Sequence, residues 1–382
     1  MTQTGLGFGV LGPLQMTVDG TPVPLGTPKQ RAVLAMLVIN RNRPVSIDAL
    51  INAAWDQWPP AEARASLHSY VSNLRRLLGK AGVDPRTVLV SEPPGYRLNV
   101  AEIACDIGRF ITEKNAGAQA AASGKFEFAS RYLKSALAEW RGPVLDDLRE
   151  LQFVDAFATA LTEDKVLAHT AFAEAEIACG RAYAVIGELE ALTAEHPYRE
   201  PLWAQLITAY YLAQRQSDAL DAYRRLKDTL AEDLGIDPGP GIQELHSRVL
   251  RQEPLDSKQS AQATAVDTLV SIDHRTAVNP QSAVAHMRDA LGRPHPLVAA
   301  ATRVGRLEDN DIVIDDVAVS RHHAVIIDTG TSFVITDLRS ANGIYVGEER
   351  VRGSVTIVHG DRIRICDHEF TFETLPATRT DA

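Results

Sequence analysis

The chain has 382 residues, too many for a single core, so two or three domains are expected. Hydrophobic residues at 45% and charged residues at 23% exclude a disordered or collagen-like chain, and no apolar run approaches the ~18 residues of a membrane helix. The net charge of −10 is uneven: residues 1–100 hold ten Lys/Arg against six Asp/Glu, or +4, and the remainder holds 29 against 43, or −14.

A basic end on an acidic protein fits a module that faces nucleic acid, although an ordinary solvated surface would also carry +4. The opening MTQTGLGFGV lacks the basic start and apolar core of a secretory signal. Cys105, Cys179 and Cys366 lie far apart, without metal-ligand spacing or a disulfide framework, which points to a reducing cytoplasm.

Residues 8–100 read as β, then α, then β. Leu14, Met16 and Val18 alternate before an Asp19-Gly20 turn, a hairpin signal. A helix then begins at Thr27-Pro28-Lys29-Gln30, with Thr27 as cap, Pro28 where no amide proton is needed, and Gln30 placed to complete a capping box. Its run AVLAMLVI is apolar nearly all round and so is expected to be buried. A second helix starts at Ser46, with Asp48 in the first turn where the dipole favours an anion.

The third helix, PPAEARASLHSYVSNLRRLLGKAG, sets Leu67, Tyr70, Val71, Leu74 and Leu78 on one face, with Gly79 as the expected C-cap. Its other face carries Ala65, Ser69, Ser72 and Arg76, flanked by His68, Asn73 and Arg75, and no acid. A small, polar, cationic face can enter a major groove about 12 Å wide, where Arg reads guanine and Asn reads adenine. The plainer alternative is an amphipathic surface helix with scattered arginines. TVLVSEPPGYRLNV follows as two strands around a Pro-Gly turn, with Arg97 near the tip.

On PKQRAVLAMLVINRNRPVSIDALINAAW, ASLHSYVSNLRRLLG and PPGYRL, residues 8–100 resemble the OmpR-type winged-helix DNA-binding domain at the N-terminus of SARP-family actinobacterial regulators. The resemblance implies that the third helix is the recognition helix and the hairpin is the wing. Double-stranded promoter DNA would then meet His68, Ser69, Ser72, Asn73, Arg75, Arg76 and Arg97.

Residues 104–252 lose strand signals and turn to Ala, Leu and charge in helical periods. Ala129 follows Gly124, Ala184 follows Gly180 and Ala219 follows Arg215. The last two alanines are 35 residues apart, near the ~34-residue repeat of tetratricopeptide (TPR) pairs, which must stack to bury their faces. This stretch resembles the bacterial transcriptional activation domain of SARP regulators, which implies a protein-contact platform, with RNA polymerase a candidate partner; a mere spacer is the plainer reading. Residues 253–281 read as a polar linker with a short strand near TLVSI.

Residues 282–375 show short strands divided by Thr329-Gly330, Asn342-Gly343 and Gly360-Asp361, a β-sandwich pattern whose loops cluster at its ends. Three loop clusters carry chemistry: Gly305-Arg306, Ser320-Arg321-His322-His323 and Ser340-Ala341-Asn342-Gly343. An arginine fork pairs with phosphate oxygens, a serine hydroxyl donates without bulk, and an asparagine both donates and accepts. Taken singly, each is equally a solvated loop or turn residue. Their order and spacing resemble the forkhead-associated (FHA) phosphothreonine-binding domain. It implies that Arg306 and Ser320 bind the phosphate and that Asn342 holds the peptide main chain. Gly305, Arg321, His323, Ser340 and Gly343 would support them, with His323 bracing the Ser320 loop. Ala341 departs from the Thr or Ser common in the family, so one contact to the peptide is missing.

GFGVLG (residues 7–12) satisfies the dinucleotide pattern, but no strand precedes it and Pro13 follows, so it is set aside. There is no phosphate-binding P-loop, no arrangement of catalytic residues and no metal spacing, so neither enzyme nor cofactor is expected. The fold class is therefore multidomain: a winged-helix α/β domain, an all-α TPR-like domain and an all-β sandwich. That order resembles the EmbR type of SARP-family regulator along nearly all of the chain. The resemblance implies a cytoplasmic transcription regulator that docks a phosphorylated Ser/Thr protein kinase and acts on cell-wall arabinosyltransferase genes. A kinase-binding adaptor or decoy with little DNA binding is the alternative.

Overall fold

A computed structural model of the chain describes residues 5–56, 58–273, 285–297, 301–307, 310–328, 333–338, 340–351 and 353–374. The chain divides into two compact units, one of residues 1–111, 138–164 and 271–382, the other of 112–137 and 165–270.

The first unit opens with an antiparallel sheet of β1 (Leu6–Gly9), β2 (Gln15–Val18) and β3 (Thr21–Pro22). Asp19 and Gly20, both at positive φ, turn β2 into β3 as the Asp-Gly pair predicts. Helix α1 (Pro28–Ile39) is capped by Thr27, whose side chain accepts from the Gln30 amide. The capping box does not close. The buried Gln30 side chain donates instead to Leu25 O at 2.7 Å, reached across the Gly26 turn. Ala32, Val33, Ala35, Leu37 and Val38 have no exposed surface, so α1 is the core helix its composition implies. Each such Val or Leu contributes about 1.5–3 kcal/mol by leaving water.

β4 (Val45–Ser46) leads to α2 (Ile47–Trp55), capped by Ser46 Oγ accepting from the Ala49 amide, with Asp48 in its first turn. Helix α3 (Ala63–Lys80) buries Ala63, Leu67, Val71, Leu74 and Leu78, while Tyr70 stacks on Trp55. Gly79 is not its cap. The helix runs on to Lys80, and the left-handed residue is Gly82 at φ +77°. Gly79 has another use: a Cβ there would stand 3.3 Å from Pro85 Cγ, so its bare backbone lets α4 (Pro85–Val88) pack close. α4 passes straight into the hairpin of β5 (Leu89–Glu92) and β6 (Gly95–Leu98), which pairs with β4 in the order β4-β6-β5.

α5 (Asp106–Ala122) begins with a carboxylate that is only 2% exposed. Asp106 accepts from the Val10 and Leu11 amides at 2.9 Å and pairs with Arg141 at 3.2 Å. The glycine-rich stretch that mimics a nucleotide loop thus grips a side chain of its own protein.

The remaining helices are α6 (Phe126–Ala138), α7 (Gln152–Ala178), α8 (Ala182–Glu195), α9 (Glu200–Leu212), α10 (Gln216–Leu234), α11 (Pro240–Leu250) and α12 (Ser257–Asp273). In the second unit one stop motif recurs. Gly124, Gly180, Gln214 and Gln252 all take positive φ just after α5, α7, α9 and α11. The amide after each bonds back five residues, Lys125 to Ala120, Arg181 to Glu176, Arg215 to Tyr210 and Glu253 to Arg248. This is a Schellman close. Gly180 and Gln214 are 34 residues apart, the one of these intervals that has the expected spacing, and they lie in a different register from the alanines. Ala129 and Ala219 are fully buried as expected, whereas Ala184 is exposed and Ala182 and Val185 take the packing positions. α8, α9 and α10 share a core of Leu189, Leu202, Leu206, Ala219, Leu226 and their neighbours.

The expected linker strand is replaced by helix α12. Ala261 and Ala265, four residues apart, form a small-residue stripe that packs on Phe126 and Ala129. Asp256 caps the helix through the Gln259 amide, and Gln262 donates to Ala122 O. Two alanines make too weak an apolar face to register as a helical period in the sequence.

The C-terminal strands are β7 (Ala285–Asp289), β8 (Pro294–Leu297), β9 (Ala301–Gly305), β10 (Ile312–Val313), β11 (Ala324–Asp328), β12 (Phe333–Asp337), β13 (Ile344–Val346), β14 (Glu349–Arg350), β15 (Ser354–Ile357), β16 (Arg362–Ile365) and β17 (His368–Thr374). Among the described residues they form two sheets, β10-β9-β11-β12-β15 and β14-β13-β16-β17-β7-β8. Met287, Val304, Ile326, Phe333, Ile335, Ile363 and Phe372 fill the space between them. The Thr329-Gly330 turn lies outside the described residues.

Candidate functional site

The three sandwich loops meet at one end and are cross-tied. Gly305 ends β9 beside the Ser320 loop, and a Cβ there would fall 2.3 Å from Arg321 O, so only glycine fits. The next amide, of Arg306, donates to Ser320 O at 3.1 Å. Ser320 Oγ in turn accepts from the Ala341 amide at 3.1 Å, and Asn342 Nδ2 donates to Ala318 O at 2.8 Å. His323 is fully buried: Nδ1 accepts from the Ser320 amide and Nε2 donates to Gly343 O, each at 3.1 Å. The imidazole thereby ties the second loop to the third. Ser340 Oγ accepts from the Gly343 amide and closes the third turn.

Against this fixed backbone, Arg306 is exposed and no acid pairs with its side chain among the described residues; Arg321 is exposed likewise. A guanidinium, a hydroxyl and an amide therefore share one end of the sandwich, an arrangement able to hold a phosphate ester and the chain that carries it. His322 turns the other way, to Asn310 Oδ1.

One supporting residue, Asn310, and one close neighbour, Arg350, are not marked by any motif. Asn310 Nδ2 donates to both Leu307 O and Arg321 O at 2.8 Å and so pins the Arg306 loop; its only signal is its place in a polar Asp-Asn-Asp stretch of sequence. Arg350 Nε would be 2.7 Å from a Cβ on Gly343, beside Asn342. Nothing in the local sequence points to it, because the approach depends on pairing of β13 with β14.

The recognition-helix set divides. Ser69, Ser72 and Arg76 are exposed on α3, with Asn73 beside them accepting from Arg76 Nη2 at 3.1 Å. Arg75 is instead turned to the hairpin: its guanidinium donates to Leu89 O at 2.7 Å and to Ser91 Oγ at 2.9 Å. His68 Nδ1 meets Tyr96 Oη at 2.8 Å, and Arg97 lies in β6, not at the tip, paired with Glu92 at 2.8 Å. These three attach helix to wing or strand to strand.

All three cysteines are free, and burial pushes the Cys105 thiol up to about 12, far from reactive. No described helix is long and apolar enough to cross a membrane.

A winged helix, a helical activator segment and a sandwich with this loop triad define a transcriptional regulatory protein carrying an FHA module. Residues 20–98 match the family described as "Transcriptional regulatory protein, C terminal", 105–250 the "Bacterial transcriptional activator domain" and 302–366 the "FHA domain". The transcriptional regulatory protein EmbR of Mycobacterium tuberculosis is 70% identical over 374 residues, covering 98% of this chain and 96% of that one. MoaR1 of the same organism is 58% identical over 65% of this chain and 80% of its own. A solved structure of M. tuberculosis EmbR in complex with a low affinity phosphopeptide superposes with TM-score 0.96 at 68% identity, covering 99% of this chain and 100% of that one. The chain belongs to the EmbR family of SARP-type regulators.

Proposed function

We propose that this protein binds promoter DNA through α3 and the β5–β6 wing, and docks a phosphothreonine of a Ser/Thr protein kinase at Arg306, Ser320 and Asn342. Kinase state would thereby reach the promoter, with cell-wall arabinosyltransferase genes as the targets, in the cytoplasm. The helical repeats would serve as the surface that RNA polymerase meets.

The cross-tied loops carrying an exposed Arg306, with no acid partner among the described residues, are the observation that supports the phosphothreonine reading most directly. The related EmbR captured with a phosphopeptide lends it further weight. A second reading, the kinase-binding adaptor, draws support from His68, Arg75 and Arg97 being engaged within their own domain. Duplex affinity measured against salt separates the two. A regulator that meets phosphates gives a log–log slope of about −0.9 per phosphate, and an adaptor gives a slope near zero. In the same preparation, a phosphothreonine peptide should titrate calorimetrically and its unphosphorylated twin should not.

A further inference from the structure

A cationic concavity in the winged helix continues the nominated face of α3 beyond Arg76. A groove of about 570 Å³ opens between α3 and α4, lined by Arg75, Arg76, Lys80 and Arg86. Its one acid, Asp84, is occupied as the cap of α4, accepting from the Arg86 amide at 3.0 Å. Lys80 and Arg86 are exposed and form no ion pair among the described residues, and Arg76 reaches only the neutral Asn73.

Several arginines elsewhere in the chain are matched by a carboxylate. Arg109 pairs with Glu139, Arg181 with Glu176, Arg225 with Glu190 and Arg288 with Glu373. With a net charge of −10, carboxylates are plentiful, yet Asp84 is the single one among the residues that line this groove. Four cations around one engaged acid form a receptor for an anion brought from outside.

We infer that this groove takes the phosphodiester backbone of the duplex, through Lys80 and Arg86 with Arg76 at its rim. The reading rests on α3 and the wing binding DNA. α4 runs directly into the first wing strand, and Arg75 ties α3 to that same strand at Leu89. A duplex entered by helix and wing together must carry the intervening phosphate strand past the edge where they join. Gly79 and Pro85 leave that edge without bulk. Such phosphate pairing adds affinity without reading sequence.

The test uses the full-length protein with a promoter duplex and an unrelated duplex, titrated between about 50 and 200 mM salt. Lys80→Ala with Arg86→Ala should make the log–log slope shallower by about 1.8, two phosphates at about 0.9 each, and weaken both duplexes by the same factor. Lys80→Arg with Arg86→Lys should restore the slope, which separates missing charge from a damaged fold. A double-alanine variant with the parent slope overturns the groove while leaving the DNA reading standing. So does one that binds duplex normally but fails to activate transcription in vitro, because the groove would then face polymerase. A parent slope near zero removes the DNA reading itself and the groove with it.

Discussion

The sandwich loops and the recognition helix present similar residues and treat them differently. At the sandwich end, nominated side chains and backbone are joined to one another, and two arginines, Arg306 and Arg321, stand exposed. On α3, two of the nominated side chains reach across to the wing, and the open cations stand further along, at Arg76 and Lys80. A loop motif specifies its own geometry, since Gly305 and His323 have no room for alternatives. A helix face specifies only direction, and a long side chain on it can serve either the duplex or the neighbouring hairpin.

The sharpest break would come at Arg306. Arg306→Ala should weaken a phosphothreonine peptide by roughly 10- to 150-fold, because hydrogen bonds to a charged partner are worth about 1.5–3 kcal/mol. Duplex binding should not move. A calorimetric titration matching the parent would dissolve the contrast between the two regions.

His323→Ala comes next. It removes two buried hydrogen bonds and leaves the Ser320 amide and Gly343 carbonyl unsatisfied, at a cost of about 2–3 kcal/mol. Thermal unfolding of the sandwich should shift down by several degrees, and peptide affinity should fall with it. An unchanged melting curve would show that the loops do not need their brace.

Paired substitutions on α3 sharpen the comparison from the other side. Arg76→Ala should reduce the salt slope by about 0.9, the share of a single neutralised phosphate. Arg75→Ala should weaken duplex binding by releasing the wing, with less change of slope and with altered protection of the β5–β6 amides in hydrogen exchange. Identical behaviour of the two would erase the distinction between a residue that meets DNA and a strut behind it.

The smallest effect on either site is expected at Glu174, which serves as a control. Burial raises its carboxyl to about 7, above its ordinary 4.5, while Gln205 donates to it at 2.9 Å. The folded state therefore holds a proton that the unfolded chain has released between about pH 4.5 and 7, so stability falls as pH rises through that window. Glu174→Gln should flatten this dependence in chemical denaturation, with peptide and duplex binding unaffected.

Much of this is legible in the sequence where chemistry is local. The loop triad, the buried first helix, the Ser46 cap and the Asp19-Gly20 hairpin follow from spacing and side-chain type. What escapes depends on partners distant in sequence. Gln30 finds the Leu25 carbonyl, Gly79 serves Pro85 instead of a helix end, and α12 is a helix because Ala261 and Ala265 meet Phe126. The repeat register is marked by left-handed residues, two of them glutamines, which no propensity argument selects. Among the site residues, Asn310 acts through a tertiary neighbour that no motif encodes.

The grip of the Val10 and Leu11 amides on Asp106 bears on how the protein can be divided. A fragment cut at residue 100 would keep the amide hooks and lose the carboxylate they hold, along with Arg141. Its first sheet would then lack its anchor even though every residue of the winged helix remained. The unit of folding at this end of the polypeptide is longer than the unit of recognition.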